Sequence, residues 1–325
     1  MKNGSGQALI TPAKPGPTLP ALFASADDHA RNRFLEFFAV HIRNPNTRRS
    51  YIKSAVEFAA WCDTLSVKTL GDVQPIHVAA WIEELGRTHS VPTVKQRLAG
   101  IRALFDWLVV GQVVPTNPAA SVRGPKHIVR RGKTPVLEPA EARQLLDAIN
   151  TSKPVGLRDR ALIGLMVYSF ARVGAALSLK VEDIYTQNRR LWVRLHEKGG
   201  KRHDVPCHHT LEAFLYDYLD GCSLWDERKS YVFRTIDRHT KQLSARPLPQ
   251  ANVWAMIRRR ARQAGIQTPI GCHTFRATGI TAYLKNDGTL EKAAQMANHA
   301  STRTTQLYDR RADEISLDEV ERILI

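Results

Sequence analysis

One stretch decides how this chain can fold. Residues 111–135, GQVVPTNPAASVRGPKHIVRRGKTP, interrupt two long helical patterns and cannot belong to either. Pro115, Pro118, Pro125 and Pro135 each lack a backbone N–H and clash with a preceding helical turn. The stretch also carries Arg123, Lys126, Arg130, Arg131 and Lys133 and has no Asp or Glu. A segment of this kind reads as an extended basic linker, so the chain should form two domains joined by it. The length agrees, because 325 residues exceed one ordinary core. The expected division is a disordered tail over 1–27, rich in Gly, Pro and Ala without periodicity, a helical domain over 28–110, the linker over 111–135, and a second domain over 136–325.

The first domain shows four helical patterns, about Asp28–Ile42, Thr47–Thr64, Pro75–Arg87 and Pro92–Val110. In the second, Ile52, Ala55, Ala59 and Cys62 are spaced for one face. In the fourth, Val94, Leu98, Ile101, Phe105 and Leu108 recur every three or four residues. Pro75 suits a first helical turn, and Trp61, Trp81 and Trp107 are the expected core anchors, with base stacking as their alternative. Arg48, Arg49, Lys53, Lys95, Arg97 and Arg102 fall on the opposite faces. They are candidates for contact with a phosphate backbone, against the plainer reading of a solvated surface.

In the second domain EPAEARQLLDAI and GLRDRALIGLMVYSF read as helices. RLWVRLHEKGGKRHDVP then changes period: Leu191, Val193 and Leu195 alternate with Trp192, Arg194 and His196 before the Gly199-Gly200 turn signal, which predicts a hairpin with lysines at its tip. From Leu211 the pattern is again mostly helical, apart from a short strand candidate at YVFR. The expected class is mainly α with a small antiparallel β-sheet.

Charge narrows the function. Lys plus Arg number 47 against 31 Asp plus Glu, a net +16. A chain this basic is expected to meet a polyanion, nucleic acid before an acidic membrane. No apolar run approaches the roughly 18 residues of a membrane span. Cys62, Cys207, Cys222 and Cys272 lie outside metal-ligand spacing of one another and outline no disulfide framework. Cys207-His208-His209 reads as a strand end rather than a metal site, and no metal or cofactor is expected. With no leader-like segment, a cytoplasmic protein is expected.

Six residues in the second domain are candidates for chemistry: Arg172 after SFA, Lys198 in EKGGKRHDVP, His273 and Arg276 in HTFRATG, and His299 and Tyr308 in NHASTRTTQLYDR. Taken in this order they resemble the tyrosine recombinases, the phage integrase family. The resemblance covers about 136–325, and the helical half is similar to that family's core-binding domain. It implies the fold of the DNA breaking-rejoining enzymes. It also implies a site-specific recombinase that cleaves and rejoins strands through a 3′-phosphotyrosyl bond, in integration or excision of mobile DNA, without metal or ATP. Carried onto this chain, Tyr308 attacks the scissile phosphate and Arg172 and Arg276 neutralise it, since a guanidinium fork matches two phosphate oxygens. Lys198, with Lys201 as its confusable neighbour, protonates the 5′-oxygen. His273 takes the phenol proton or bonds the phosphate, and His299 donates to a non-bridging oxygen.

The resemblance further implies double-stranded DNA as partner and a tetramer on two DNA sites, monomeric or dimeric when free, in the bacterial cytoplasm and on the nucleoid when bound. Arg123, Lys126, Arg130 and Arg131 of the linker, Lys201 of the hairpin, and Arg258 and Arg259 in MIRRRARQ are additional DNA candidates. After Tyr308, Ser316 could cap a short helix with Val320, Ile323 and Leu324 on one side, an exchange helix for a neighbouring protomer or a tail for its own domain. Two departures stand out. Ala175 occupies the place, three residues after Arg172, where the family commonly has an acid; Glu182 and Asp183 are candidate substitutes. Ala297-Asn298 replaces the usual Leu-Gly before the second histidine. A DNA-binding accessory protein without catalysis and a type IB topoisomerase-like enzyme are the alternative functions.

Overall fold

The computed structural model describes residues 21–24, 26–127, 129, 132–197, 200–310 and 321–322. Two compact units divide the chain, Met1–Ile128 and Val129–Ile325. Among the described residues no helix is long and apolar enough to cross a membrane.

The first unit is a helical bundle: α1 (Ala21–Ala24), α2 (Asp28–Glu36) continued by a π turn over Phe37–His41, α3 (Pro45–Thr64), α4 (Pro75–Thr88) and α5 (Val91–Val110). Local chemistry sets the starts. Asp27 accepts the Ala30 amide at 2.7 Å, and Asn44 accepts those of Asn46 and Thr47 ahead of Pro45, so donors left over by the first turns are satisfied. The α5 stripe Val94, Leu98, Ile101, Phe105 and Leu108 is buried throughout. Against it α3 presents Ser54, Ala55, Phe58, Ala59 and Cys62. Ile52, expected on that face, is instead 40% exposed. The face is rotated because Gly100 of α5 approaches closely: a Cβ there would lie 3.0 Å from the Ser54 hydroxyl oxygen and 3.1 Å from the Tyr51 ring. Trp81 is fully in the core, whereas Trp61 and Trp107 are half-buried and fasten their indole N–H groups to Glu84 and to the Arg33 carbonyl.

Two boundaries expected from sequence shift here. Leu22 and Phe23 belong to the bundle core, with Phe23 stacked on Phe34 at 4.0 Å, so the expected disordered tail does not extend through them. Val114, Ala119 and Val122 also pack into this core. Their stretch is held by Arg102, which donates to the Ala119 and Val122 carbonyls, while Asn117 donates to the Arg102 carbonyl and to Asp106. Prolines stop a helix without preventing burial, so the first part of the expected linker folds back as irregular structure.

The second unit runs α6 (Pro139–Asp147), α7 (Pro154–Tyr168), α8 (Val173–Ser178), β1 (Ile184–Gln187), β2 (Arg190–His196), β3 (Arg202–Pro206), α9 (His209–Gly221), β4 (Arg234–Ile236), β5 (Leu243–Pro247), α10 (Gln250–Gln263), α11 (Cys272–Lys285), α12 (Leu290–Met296) and α13 (Thr302–Gln306). Strands β1, β2 and β3 form one antiparallel sheet, with Val193 opposite both Ile184 and Val205; β4 and β5 form a second. Leu191, Val193 and Leu195 point into a core shared with α7 and α9. Helix α11 crosses α7 so closely that a Cβ on Gly279 would stand 2.0 Å from the Val167 carbonyl oxygen. Asp159 of α7 is wholly buried and accepts from Arg158 at 2.6 Å and from Arg260 of α10 at 2.7 Å, with Arg259 at 3.5 Å, so arginines neutralise it. His208 caps α9 by accepting the Thr210 amide.

Candidate active site

Helix α11 carries His273 in its first turn and Arg276 one turn later, on one face. Arg276 is 1% exposed. Its Nη1 donates to the Phe170 carbonyl, and its Nη2 to the Ala297 carbonyl and, at 2.7 Å, to His299 Nε2. Of five N–H groups, these bonds engage three. Burial, then the charge of Arg172, lowers its pKa to about 10, which leaves it cationic at neutral pH.

Both carbonyls that grip Arg276 lie beside residues in uncommon backbone conformations. Phe170 has φ +53°, a genuine outlier for a bulky side chain, and its carbonyl takes the Nη1 bond. Asn298 has φ +47° and follows the second carbonyl. Here α12 ends in a Schellman motif: the His299 amide donates to the Ala294 carbonyl at 2.9 Å and the Asn298 amide to that of Gln295 at 3.0 Å. That motif needs a left-handed residue at position 298. Asn tolerates it best after Gly, which accounts for Asn298 where the family usually has Gly.

The motif sets His299 on Arg276. Because Nη2 can only donate, Nε2 of His299 accepts, and Nδ1 carries the proton toward Thr305 Oγ1, 2.9 Å away. Burial first, then the charges of Arg276 and Arg172, pushes the His299 pKa down to about 4, so the ring is neutral at physiological pH. In this arrangement Nε2 of His299 carries no proton and faces Arg276, whereas donation to a phosphate oxygen is the expectation from sequence.

Tyr308 follows the short helix α13, which Ser301 caps at the Arg303 amide, so the ASTRTTQ run forms the expected turn and helix. Tyr308 is 8% exposed, among Phe170, Ala277, Ile280 and Ala297. Its hydroxyl is 2.6 Å from His273 Nε2, and its ring stacks parallel to His299 at 5.9 Å. Desolvation, then Arg276 and Arg172, lowers the His273 pKa, favouring a neutral ring whose Nε2 can accept the phenol proton. The backbone around the phenol is fastened separately. The Tyr308 carbonyl accepts from Thr281 at 2.8 Å, the Leu307 carbonyl accepts the Gly132 amide at 3.1 Å, and Arg310 donates to the Gly132 and Thr134 carbonyls.

Arg172 stands at the N-cap position of α8 without capping it through its side chain, and its Nη1 donates to Glu197 at 2.6 Å. Its charge acts on His273, Arg276 and His299 alike. The structure therefore gathers Arg172, His273, Arg276, His299 and Tyr308. Lys198, the sixth expected residue, lies outside the described residues, as do Arg130, Arg131 and the tail positions Ser316, Val320, Ile323 and Leu324. The partner of Arg172 is neither Glu182 nor Asp183: Asp183 binds the Lys180 amide and His196. Sequence reasoning missed Glu197, Thr305 and Thr281. For Glu197 a signal existed, an acid placed directly before Lys198.

The candidate DNA contacts divide. Arg49, Lys95, Arg123, Lys126, Lys201 and Arg258 are exposed, Arg258 lying over the Trp254 ring. Arg97 is buried against Glu57 at 2.6 Å and Arg102 is committed to two carbonyls, so both are internal braces rather than surface contacts. Arg48 donates twice to the Ile42 carbonyl, Lys53 pairs with Glu57, and Arg259 lies 3.5 Å from Asp159.

The phage integrase family model matches residues 135–314, and the N-terminal SAM-like domain of phage integrases matches 32–111. Tyrosine recombinase XerD of Chlorobaculum tepidum is 28% identical over 269 residues, 81% of this chain and 85% of that protein. Tyrosine recombinase XerC of Chlamydia muridarum is 29% identical over 227 residues, 70% and 69% of the two chains. The fold is shared with XerH bound to palindromic difH in a post-cleavage complex (TM-score 0.70, 17% identity, 94% and 96% of the two chains). It is shared too with a lambda integrase (residues 75–356) dimer on a COC′ core site (TM-score 0.65, 19% identity, 88% and 96%).

Proposed function

The chain belongs to the phage integrase family, the tyrosine recombinases, and from that premise we propose how its own residues carry out site-specific strand exchange. The 2.6 Å contact between Tyr308 Oη and His273 Nε2, beside the buried Arg276, carries the reading. A free phenol has a pKa of about 10 and attacks poorly at neutral pH. Neutral His273 accepts its proton as Oη bonds to the scissile phosphorus. The bond from phosphorus to the 5′-oxygen breaks, leaving a 3′-phosphotyrosyl ester, and Lys198 supplies the proton that the 5′-oxygen needs. The ester retains the phosphodiester's energy, so the reverse attack by a 5′-hydroxyl rejoins the strand without ATP.

Charge on the phosphorane is met by Arg172 and by the N–H groups that Arg276 keeps free of the Phe170, Ala297 and His299 bonds. His299 holds Arg276 in register, and Thr305 holds His299. Exposed Arg49, Lys95, Arg123 and Lys126 lie along the duplex backbone and fix register without reading sequence. Arg258, supported on Trp254, is the candidate for base contact. The acting assembly is a tetramer on two duplex sites; a lambda integrase tetramer bound to a Holliday junction has the same fold (TM-score 0.65, 18% identity).

The test is a nicked suicide duplex carrying the recombination site. Wild-type protein should form a covalent adduct that resists EDTA, and Tyr308→Phe should form none. An adduct at undiminished yield in that variant would remove Tyr308 from the reaction.

A further inference from the structure

Glu197 is a carboxylate almost removed from water, its side chain 4% exposed, and its one ion-pair partner among the described residues is Arg172 at 2.6 Å. A buried charge of this kind persists only when a close cation compensates its lost hydration. No carboxylate approaches Arg172 from its own helix, because position 175 is a buried alanine. The acid comes instead from the end of β2, 25 residues away in sequence.

The backbone of the same residue frames the hairpin. The Glu197 amide donates to the Lys201 carbonyl at 2.8 Å, and the Glu197 carbonyl accepts the Gly200 amide at 3.2 Å. On β3, His203 Nε2 bonds the Met296 carbonyl at 2.9 Å, at the end of the helix that presents His299. The hairpin is thus moored both at Arg172 and at the His299 side.

We propose that Glu197 is the positioning residue for Arg172, replacing the acid absent at position 175. The inference rests on the recombinase reading above and adds to it.

The experiment compares single-turnover adduct formation on the suicide duplex in wild type, Glu197→Gln, Glu197→Asp, Arg172→Ala and the double variant Arg172→Ala/Glu197→Gln. Binding to intact duplex and melting temperature are measured alongside. Glu197→Gln keeps the shape and removes the charge. It should slow adduct formation by roughly 100-fold, the scale of a misplaced reacting group, with duplex affinity within about twofold of wild type. Glu197→Asp should recover part of that rate. In the Arg172→Ala background Glu197→Gln should cost nothing further, because its effect passes through Arg172. A wild-type rate in Glu197→Gln, or a full additional loss in the double variant, would overturn the proposal. Should Glu197→Gln melt early, Glu197→Asp and the double variant decide in the same way. A wild-type protein that forms no Tyr308-dependent adduct would fail the recombinase reading itself, which is a different result.

Discussion

Acidification from pH 7 to pH 4 should cost the catalytic unit about 3 kcal/mol through His299 alone. An unfolded histidine takes up its proton near pH ~6.5. In the fold, burial and the charges of Arg276 and Arg172 hold His299 unprotonated down to about 4. Between these values the unfolded chain binds more protons than the folded one, so folding stability rises with pH across the window and is lost as pH falls through it. Below pH 4 His299 contributes no further loss. At about 1.4 kcal/mol per pH unit, a shift of some 2.5 units gives the stated figure. The assay is urea unfolding of wild type and His299→Gln at several pH values between 4 and 7. Glutamine offers Arg276 an acceptor and does not titrate. Carboxylates titrate in both proteins, so the gap between the two stability curves isolates the imidazole. Wild type should lose about 3 kcal/mol more than the variant on going to pH 4. Parallel curves would refute the neutral, Arg276-bonded histidine, and with it the account of how Arg276 is oriented.

Two further perturbations probe what surrounds the site. Asp159→Asn leaves the buried Arg158 and the neighbouring Arg260 without their shared counter-charge; a loss of about 3–5 kcal/mol is expected, read as a melting temperature lower by roughly 6–20 °C in a unit of this size. A change under about 1 kcal/mol would show the cluster to be solvated. Gly132→Ala puts a Cβ 2.2 Å from the Leu307 carbonyl oxygen, so the backbone just before Tyr308 must move. Adduct formation should fall at least about tenfold while duplex binding holds, and an unchanged rate would mean that the contact at residue 132 does not position Tyr308.

Much of this was legible in the chain. The α5 stripe was readable because three- and four-residue recurrence is a local property. The candidate chemistry came from the resemblance that Arg172, Lys198, His273, Arg276, His299 and Tyr308, in that order, carry to the tyrosine recombinases. What stayed hidden was set by partners far along the chain. Arg97 and Arg102 read as surface cations because Glu57 and the Ala119 and Val122 carbonyls that engage them are not sequence neighbours. Strands β1, β4 and β5, three to five residues each, are too short to show a period. The support for Arg172 was sought on its own helix and just beyond, whereas the fold of the sheet delivers it from Glu197. Within the site, the residue types were legible and their pairing was not. That Tyr308 meets His273 while His299 meets Arg276 follows from the left-handed turn at Asn298, which a sequence shows only as an asparagine.

The fastening of the Tyr308 backbone has a mechanical side. Once the phenol is esterified, its hydroxyl proton is gone and the bond to His273 in its present form is broken. The main-chain hold persists, because Thr281 grips the Tyr308 carbonyl and Gly132 the Leu307 carbonyl, neither through the ring. In the proposed reaction the severed 3′ end would be joined covalently to the protein by that one ester. Any pull on it runs through the side chain into the backbone at 307–308, then into helix α11 through Thr281 and into the entry of the catalytic unit through Gly132. Tension on the DNA at that ester would thereby reach the frame of the domain through the main chain at 307–308.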